Sequence, residues 1–337
     1  MTWKGVMKYR NELFGISALW IILFHVQGNV GNIPIPRLPS IIGMGNMGVD
    51  VFLFLSAIGL YYSYKKNRLS DYYLHRCKRV LLPYLIVAIP YFAWYHFVFA
   101  SSGFIPFLLD VSTIGFWVKG DHPTWYIAFI LIAYAIYPLL HKLFAKNKYL
   151  SFGILLVVAV SAELVLWMTN SKIYANAERA LSRIPVFLLG MLFAYFVEEN
   201  KKIPKVAVFI SFAVLLLGVV VFPVTTIGLP IFAVRYLYGI LSVAFLLSYA
   251  FIRQKLGINW LGRAMKWVGE ISLECYILHV FAIRILNALS LWQYVNKYLW
   301  YALILALTLL LAKAFKLFVD KLISLIHTEE NKCKSNS

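Results

Sequence analysis

Long apolar runs alternate with short polar segments along the whole chain. A transmembrane helix needs about 20 apolar residues, because each residue adds only about 1.5 Å to a helix that must cross about 30 Å of hydrocarbon. The pattern therefore predicts an all-α fold: a polytopic integral membrane bundle of about ten transmembrane helices, in a single domain, 1–337. The predicted spans are 12–31, 46–64, 80–100, 123–141, 150–169, 183–198, 205–223, 230–251, 268–288 and 298–318.

The polar segments between these runs differ in charge from one side of the bundle to the other. If the N-terminus is inside, the inner segments hold 24 of the 32 Lys and Arg residues. Basic residues accumulate on the cytoplasmic side of a membrane protein. We therefore expect both termini in the cytoplasm, with a short cytoplasmic tail from about 320. The inner segments are 1–11, 65–79, 142–149, 199–205, 252–267 and the tail from 313; the outer loops are 32–45, 101–122 and 170–182.

Composition supports a lipid bilayer as the surroundings of this chain. It is 62% hydrophobic and only 14% charged, whereas a soluble domain carries about a quarter charged residues. The net charge of +18 lies in short clusters rather than in one patch, so we do not expect nucleic acid as a partner. The three cysteines, Cys77, Cys275 and Cys333, have no metal-ligand or redox spacing, and no metal site is expected.

Several ionisable side chains fall within the predicted spans, where an unpaired charge is costly and a functional role is the first hypothesis. For His96 we favour a structural hydrogen bond. For Glu163, a helix-to-helix hydrogen bond and a functional role both stay open. The full set is His25, Asp50, His96, Glu163, Glu274, His279 and Arg284.

His25 and Asp50 lie in the outer half of two consecutive spans. His25 is about 19 Å along the first span, and Asp50 is about one turn into the second. The two side chains can therefore face one cavity. A histidine suits general-base chemistry, because its unperturbed pKa is near neutrality. Spacing alone leaves open both a catalytic site and a structural His–Asp pair.

A dense basic stretch, Tyr72 to Arg79, leads into the third span from the inner side. Arg76 and Arg79 are three residues apart on a predicted helix and share a face. Two guanidinium groups on one face can bind phosphates in a bidentate manner. Ordinary anchoring by positive residues explains the stretch equally well, so a phosphorylated cytosolic donor is one of two interpretations.

Six segments in order along the chain resemble the acyltransferase 3 family of membrane acyltransferases. The first span, from Arg10 to Trp20 and ending Leu23-Phe24-His25, is similar to the opening segment of that family and its histidine. The other segments are Gly48-Val49-Asp50 to Ser56, Arg76-x-x-Arg79 before Leu81-Leu82-Pro83-Tyr84, Trp125-Tyr126, Arg183-x-Pro185-x-Phe187-x-x-Gly190, and Ile271-Ser272-x-x-x-Tyr276-x-x-His279.

This resemblance implies transfer of an acyl group, usually acetyl, from cytosolic acetyl-CoA or another acyl-CoA to a hydroxyl of an extracytoplasmic glycan or glycolipid. It implies a multi-pass protein of a bacterial cytoplasmic membrane with no permanently bound cofactor. His25 would be the catalytic base, with Asp50 as a catalytic candidate, and Arg76, Arg79 and Arg10 would bind the donor. Candidates to line the cavity or stabilise an oxyanion are Ser56, His122, Trp125, Glu274 and His279.

The chain also departs from the family pattern at two positions. The family usually has an arginine eleven residues before its histidine, where this chain has Phe14, and Ala57 replaces a usual glycine. Arg10 lies one turn before Phe14 and can reach toward the same place. If the arginine is only displaced in this way, Phe14→Arg should be tolerated.

Two other classes of function fit a bundle with buried polar groups. A transporter or flippase of a glycan or glycolipid also needs many spans, although such proteins often show inverted repeats, and none is evident here. A structural membrane scaffold would leave the polar residues without a common purpose. The acyltransferase interpretation makes a geometric prediction: one passage should join Arg76 and Arg79 to a cavity holding His25 and Asp50.

Overall fold

The computed structural model describes the backbone of residues 1–120, 123–225, 228–257 and 259–335, and the side chains of these residues except 221–225 and 326–335. Within these ranges the chain is helical and contains no strand; its one β-type contact is an isolated antiparallel bridge between Thr2 and Lys202. The predicted all-α class is confirmed.

The first half of the chain forms nine helices, with two π-helical turns at Cys77–Leu81 and Trp94–Phe99. The helices are α1 (Trp3–Met7), α2 (Arg10–Val30), α3 (Leu38–Gly43), α4 (Met47–Lys66), α5 (Leu69–Arg76), α6 (Leu82–Ala93), α7 (Phe104–Val111), α8 (Ile114–Lys119) and α9 (Trp125–Lys146).

The second half continues the same architecture. Its helices are α10 (Lys148–Met168), α11 (Lys172–Leu181), α12 (Ile184–Glu198), α13 (Lys205–Thr225), α14 (Ile231–Leu256), α15 (Asn259–Glu270), α16 (Ser272–Ala288) and α17 (Lys297–Ser335). Helix α9 turns directly into α10 because the side chain of Asn147 accepts a hydrogen bond from the Leu150 backbone N–H at 3.1 Å and so caps the new helix.

Eight stretches of the described chain are long and apolar enough to cross a membrane. They coincide with eight of the ten predicted spans, which confirms a polytopic bundle. The stretch that corresponds to the predicted span 183–198 is longer than predicted, because α11 and α12 together form one stretch. The eight are Arg10–Val30, Leu38–Lys66, Leu69–Phe99, Trp125–Lys146, Lys148–Met168, Lys172–Glu198, Ile231–Leu256 and Lys297–Leu325.

The other two predicted spans differ from a single straight helix. The predicted span 268–288 corresponds to α16, which joins α15 at a 65° bend; counted together they make a ninth stretch. The predicted span 205–223 corresponds to α13, whose apolar part, Lys205–Val220, is shorter than a full span among the described side chains. The predicted outer loops contain the short helices α3, α7, α8 and α11.

Helix α4 is the centre of the bundle, and α10 is at its periphery. Of the most apolar stretch in Leu38–Lys66, 72% is buried inside the protein, against 6% in Lys148–Met168. An apolar helix that is almost wholly exposed suits a lipid environment and not water. Helix α4 packs closely on α12 at Gly190, where an added Cβ would lie 2.4 Å from the Phe54 carbonyl oxygen.

Helix α15 lies directly against the start of α2. A Cβ at Gly15 would lie 1.9 Å from the carbonyl oxygen of Met265, and one at Gly269 would lie 1.8 Å from that of Asn11. Only glycine at both positions allows the two backbones to approach so closely. The start of α2 is also joined to α14, because Glu12 accepts hydrogen bonds from Arg253 at 2.7 Å and from Tyr249 at 2.6 Å.

Candidate active site

A cavity of about 1240 Å³ enters the bundle from one end. We call this the basic end, because Lys4, Lys78 and Lys316 line the cavity there with the arginines described below. Segments from both termini reach this end, since Lys4 and Ile323 both belong to the lining. The cavity extends between α2, α4, α9 and α16, so it passes from a charged opening into the apolar part of the bundle.

Three arginines line the cavity: Arg10, Arg76 and Arg79. Arg76 donates a hydrogen bond to the Ser63 hydroxyl, and its guanidinium lies over the ring of Tyr134 at 5.5 Å. The Nε atoms of Arg10 and Arg76 are buried without a hydrogen-bond partner among the described residues. Among the described residues, no carboxylate forms an ion pair with Arg10, Arg76 or Arg79. The cluster therefore has cationic donors free for an anionic ligand.

The backbone between Arg76 and Arg79 is not an ordinary α-helix. Helix α5 ends at Arg76, and the next turn, Cys77–Leu81, is π-helical before α6 begins. Such wide turns occur mostly as single insertions and often at functional sites. Both arginines line the cavity, but the sequence spacing gave no sign of the wider turn.

The far end of the cavity is apolar and aromatic, with a few hydroxyl groups. Ile21 of α2 and Tyr276 of α16 line it, whereas Ser56 of α4 and Tyr126 of α9 line the stretch between this end and the arginines. The Tyr126 and Tyr276 rings are 5.1 Å apart, and the Tyr276 hydroxyl donates to the Pro123 carbonyl oxygen at 3.0 Å. Ser56, a predicted candidate to line the cavity or stabilise an oxyanion, lies on the wall of the cavity.

Glu274 also lines the cavity, and its carboxylate lies 3.9 Å from the Lys316 ammonium. Glu274 is one of the residues that the sequence predicts for the site, whereas Lys316 is not. A lysine within the last apolar run was the available signal, since buried basic residues in spans are unusual.

His25 pairs with His279 rather than with Asp50. The His25 Nδ1 and His279 Nε2 atoms are 3.0 Å apart, and the His279 Nδ1 atom is 2.7 Å from the carbonyl oxygen of Cys275. His279 is buried, and His25 is half-buried. The expectation that His25 and Asp50 face one cavity is wrong, because the two side chains leave their helices toward different neighbours.

Asp50 lies against Arg183 in the interior. Its Oδ1 atom is 3.7 Å from the Arg183 Nε atom, and both side chains are fully buried. Arg183 also donates to the Asn46 side-chain oxygen and to the Arg179 carbonyl oxygen, each at 2.9 Å. Trp125 stacks on this guanidinium, with Cζ 4.7 Å from the ring centroid, and does not line the cavity. These contacts join α4, α9, α11 and α12.

Two further buried side chains, Glu163 and His96, form structural hydrogen bonds, as the sequence analysis allowed. The Tyr236 hydroxyl donates to Glu163 at 2.6 Å, a hydrogen bond between helices. His96 lies 2.9 Å from the Asp110 carboxylate and 2.6 Å from the Ser102 hydroxyl. A buried bidentate ion pair, Arg235 with Glu178, was not anticipated.

The cavity begins at the arginines as predicted, but it does not extend to His25, so the predicted continuous passage is not seen among the described residues. Among the described residues, neither His25 nor Asp50 lines the cavity, which ends at Ile21 and Tyr276. Ile21 is one turn before His25 on α2, a rise of about 6 Å. Helical side chains lean toward the N-terminus, so the His25 ring lies over the turn that carries Ile21. The predicted candidate His122 lies outside the described residues.

The fold and this site define a class: a polytopic membrane protein in which a cationic cavity runs into the bundle toward a buried imidazole pair. The chain belongs to the acyltransferase 3 family, since the sequence profile of that family, described as an acyltransferase domain, matches residues 15–316. It is therefore a membrane acyltransferase. No curated protein and no solved structure matches the chain.

Proposed function

We propose that this acyltransferase moves an acyl group, acetyl in the simplest case, from acyl-CoA to a hydroxyl of an extracytoplasmic glycan or glycolipid. One observation carries the proposal. A cavity with three arginines that lack carboxylate partners within the described residues ends one helical turn from the His25–His279 pair. The resemblance of Arg76-x-x-Arg79 and His25 to family motifs supports the same reading.

The charge of the basic end favours a donor with several phosphates. Three guanidinium groups near one another repel each other, and burial of a charge without a counterion is costly. A diphosphate with a further phosphate, as in coenzyme A, supplies oxygens for several bidentate hydrogen bonds. The charged part of such a donor stays at the open, hydrated end of the cavity.

The distance from Arg10 to His25 along α2 suits the remaining part of the donor. Arg10 and His25 are 15 residues apart on α2, which is a rise of about 22 Å. A pantetheine arm reaches on the order of 15–20 Å when extended. The distance between the two functional groups is shorter than this rise, because the Arg10 side chain is long and the His25 side chain points back toward Ile21. The thioester would therefore arrive beside the imidazole pair.

The reaction needs one base and no added reactant. His25 Nε2 takes the proton of the acceptor hydroxyl while its oxygen forms a bond to the thioester carbonyl carbon. The tetrahedral intermediate collapses by breaking the C–S bond, and the leaving thiolate takes the proton from His25. The products are an ester and free coenzyme A. Among the hydroxyl groups of the cavity wall, that of Tyr126, whose ring packs on Tyr276, is the candidate to hydrogen-bond the developing oxyanion.

The acceptor side follows from the charge distribution in the sequence. Most Lys and Arg residues fall on the side of the termini, so the basic end would face the cytoplasm, where acyl-CoA is made. The acceptor would then meet His25 from the opposite side of a bacterial cytoplasmic membrane. Envelope glycans and glycolipids are the hydroxyl-rich molecules available there.

The donor is tested by thermal unfolding of the purified full-length protein with coenzyme A. A ligand that binds the folded state raises the midpoint of unfolding in proportion to the logarithm of its concentration. We expect this shift in the wild type and its loss in Arg76→Ala with Arg79→Ala. The matched control is Arg68→Ala, an exposed arginine of the same segment that does not line the cavity. Equal shifts in all three proteins would reject a donor site at this cluster.

The acceptor is tested in cells by mass spectrometry of envelope glycans. Strains with the wild-type gene, without it, and with a His25→Ala variant are compared. Acyl groups that disappear in the second and third strains identify the acceptor. Identical glycans and glycolipids in all three strains would overturn the proposed reaction.

A further inference from the structure

We propose that His279 is a positioning residue: it holds His25 in the one tautomer that presents an unprotonated Nε2 to the acceptor hydroxyl. This inference rests on the proposed function of His25 as the base and deepens it. It stands on two distances, 3.0 Å between the two rings and 2.7 Å from His279 to a backbone carbonyl.

The Cys275 carbonyl determines where His279 carries its proton. A carbonyl oxygen can only accept, so the His279 Nδ1 atom beside it must be an N–H donor. Cys275 lies four residues earlier on α16, and its own place in the helix keeps this carbonyl fixed. In a neutral imidazole only one nitrogen carries hydrogen. The His279 Nε2 atom is therefore a lone pair that faces His25.

The hydrogen bond between His279 and His25 then determines the tautomer of His25. Two lone pairs cannot face each other at 3.0 Å, so the His25 Nδ1 atom must be the donor to His279. In neutral His25 the Nε2 atom then carries the lone pair. Among the described residues, the side chain of His25 forms its hydrogen bond through Nδ1, and Nε2 is left for the acceptor.

His279 also stabilises the state that forms during the reaction. When His25 takes a proton on Nε2, its Nδ1–H becomes part of an imidazolium and donates a stronger hydrogen bond. The charged side chains that act on His25 are Arg179 of α11 and Arg284 of α16. Both are cations, and a guanidinium has no acceptor atom. His279 is thus the acceptor that orients and supports the base, as a carboxylate does in a catalytic triad.

The tautomer is measured directly by nitrogen NMR of the full-length protein labelled with ¹⁵N-histidine. The chain has seven histidines, and the His25 signals are those lost in His25→Gln. At neutral pH we expect the His25 Nδ1 atom to be protonated and the Nε2 atom to be unprotonated. The reverse pattern in the wild type would overturn the inference without any reference to activity.

The role is measured by two substitutions at one position. His279→Gln keeps a side-chain oxygen that can accept from His25 Nδ1, whereas His279→Met has similar bulk and no strong acceptor. The assay is thiol release from acetyl-CoA in membranes that contain the envelope glycolipids of the host. We expect kcat to fall about 10- to 100-fold in His279→Met and less in His279→Gln, with KM for acetyl-CoA unchanged in both.

The outcomes separate this inference from the proposed function. If the wild type releases no thiol above the background of empty membranes, the acyl-CoA reaction itself fails. If the wild type is active and His279→Met keeps its kcat, only the positioning role fails. Equal losses in both variants, or a rise in KM alone, would also reject it. If thermal unfolding shows that His279→Met is not folded, the positioning role is judged from the NMR tautomer of His25 and from kcat of His279→Gln.

Discussion

The guanidinium of Arg10 lies over the ring of Phe14, with its Cζ atom 4.5 Å from the ring centroid. Phe14 in turn stacks on Phe52, with ring centroids 5.0 Å apart. A cation over an aromatic face contributes about 0.5–2 kcal/mol, more where water is excluded. The aromatic stack therefore holds Arg10 toward the other two arginines of the cavity.

This contact reverses the expectation for Phe14→Arg. A fourth guanidinium would enter a cluster of three cations and remove the ring that supports Arg10. We expect donor binding to weaken by about 3- to 30-fold in Phe14→Leu, because the cation–π contact is lost, and more in Phe14→Arg. Titration of purified protein with coenzyme A measures both. Tighter binding by Phe14→Arg would show that Arg10 had only replaced an arginine at position 14.

Gly59 provides the space for Arg10 from the other side. A Cβ at Gly59 would lie 2.9 Å from the Arg10 Nη2 atom, the end of a flexible side chain. We therefore expect Gly59→Ala to move this guanidinium and raise Kd for coenzyme A severalfold, with little loss of thermal stability. Gly153→Ala is the matched control, since nothing lies within 4 Å of an added Cβ there. An equal change in Kd for coenzyme A in both variants would show that Gly59 has no specific role at the donor site.

The pair of Asp50 and Arg183 should behave as one unit. Removal of one partner leaves the other charged and buried, which costs about 3–5 kcal/mol, whereas removal of both is far less harmful. We expect Asp50→Leu and Arg183→Met each to lower the unfolding midpoint strongly, and the double variant to recover much of the loss. A double-mutant cycle of thermal unfolding in detergent measures the coupling. Additive losses would mean that the two charges do not interact.

His25→Ala should abolish acyl transfer and leave a folded protein. Loss of a general base slows a reaction by about 10²- to 10⁴-fold. His141→Gln is the control, because His141 packs among Tyr61, Tyr64 and Tyr137 and is not part of the cavity lining. Rates are compared at equal amounts of monodisperse protein. Near-wild-type transfer by His25→Ala would end the assignment of this residue as the base.

The sequence was sufficient for eight of the ten predicted spans and for the polar residues inside them, but not for the partners of those residues. Apolar runs and buried charges are local properties of a chain, and both can be read from the residues themselves. The partner of His25 is 254 positions away, on α16, and that of Asp50 lies on the turn before α12. Which helices become neighbours depends on packing across the whole bundle.

The bend before α16 and the π-helical turn before α6 escaped prediction for a related reason. No proline marks the bend at Ile271. The π-helical turn, Cys77–Leu81, lies where the basic stretch meets the apolar run of the third span, and that boundary predicts the start of a span but not the kind of helical turn. The glycines at the contact of α2 with α15, Gly15 and Gly269, have no distinctive mark in the sequence, and only the contact of the two backbones shows their role.

The contact of α15 with α2 has a consequence for distances within the site. Because the two backbones touch at Gly15 and at Gly269, a side chain at either position would push α2 and α15 apart. Arg10 and His25 lie on α2 itself, about 22 Å apart along its axis, and this spacing stays the same as long as the helix is intact. Under the proposed function, the constant spacing would select an acyl donor by the distance between its phosphates and its thioester, whatever chemical groups lie between.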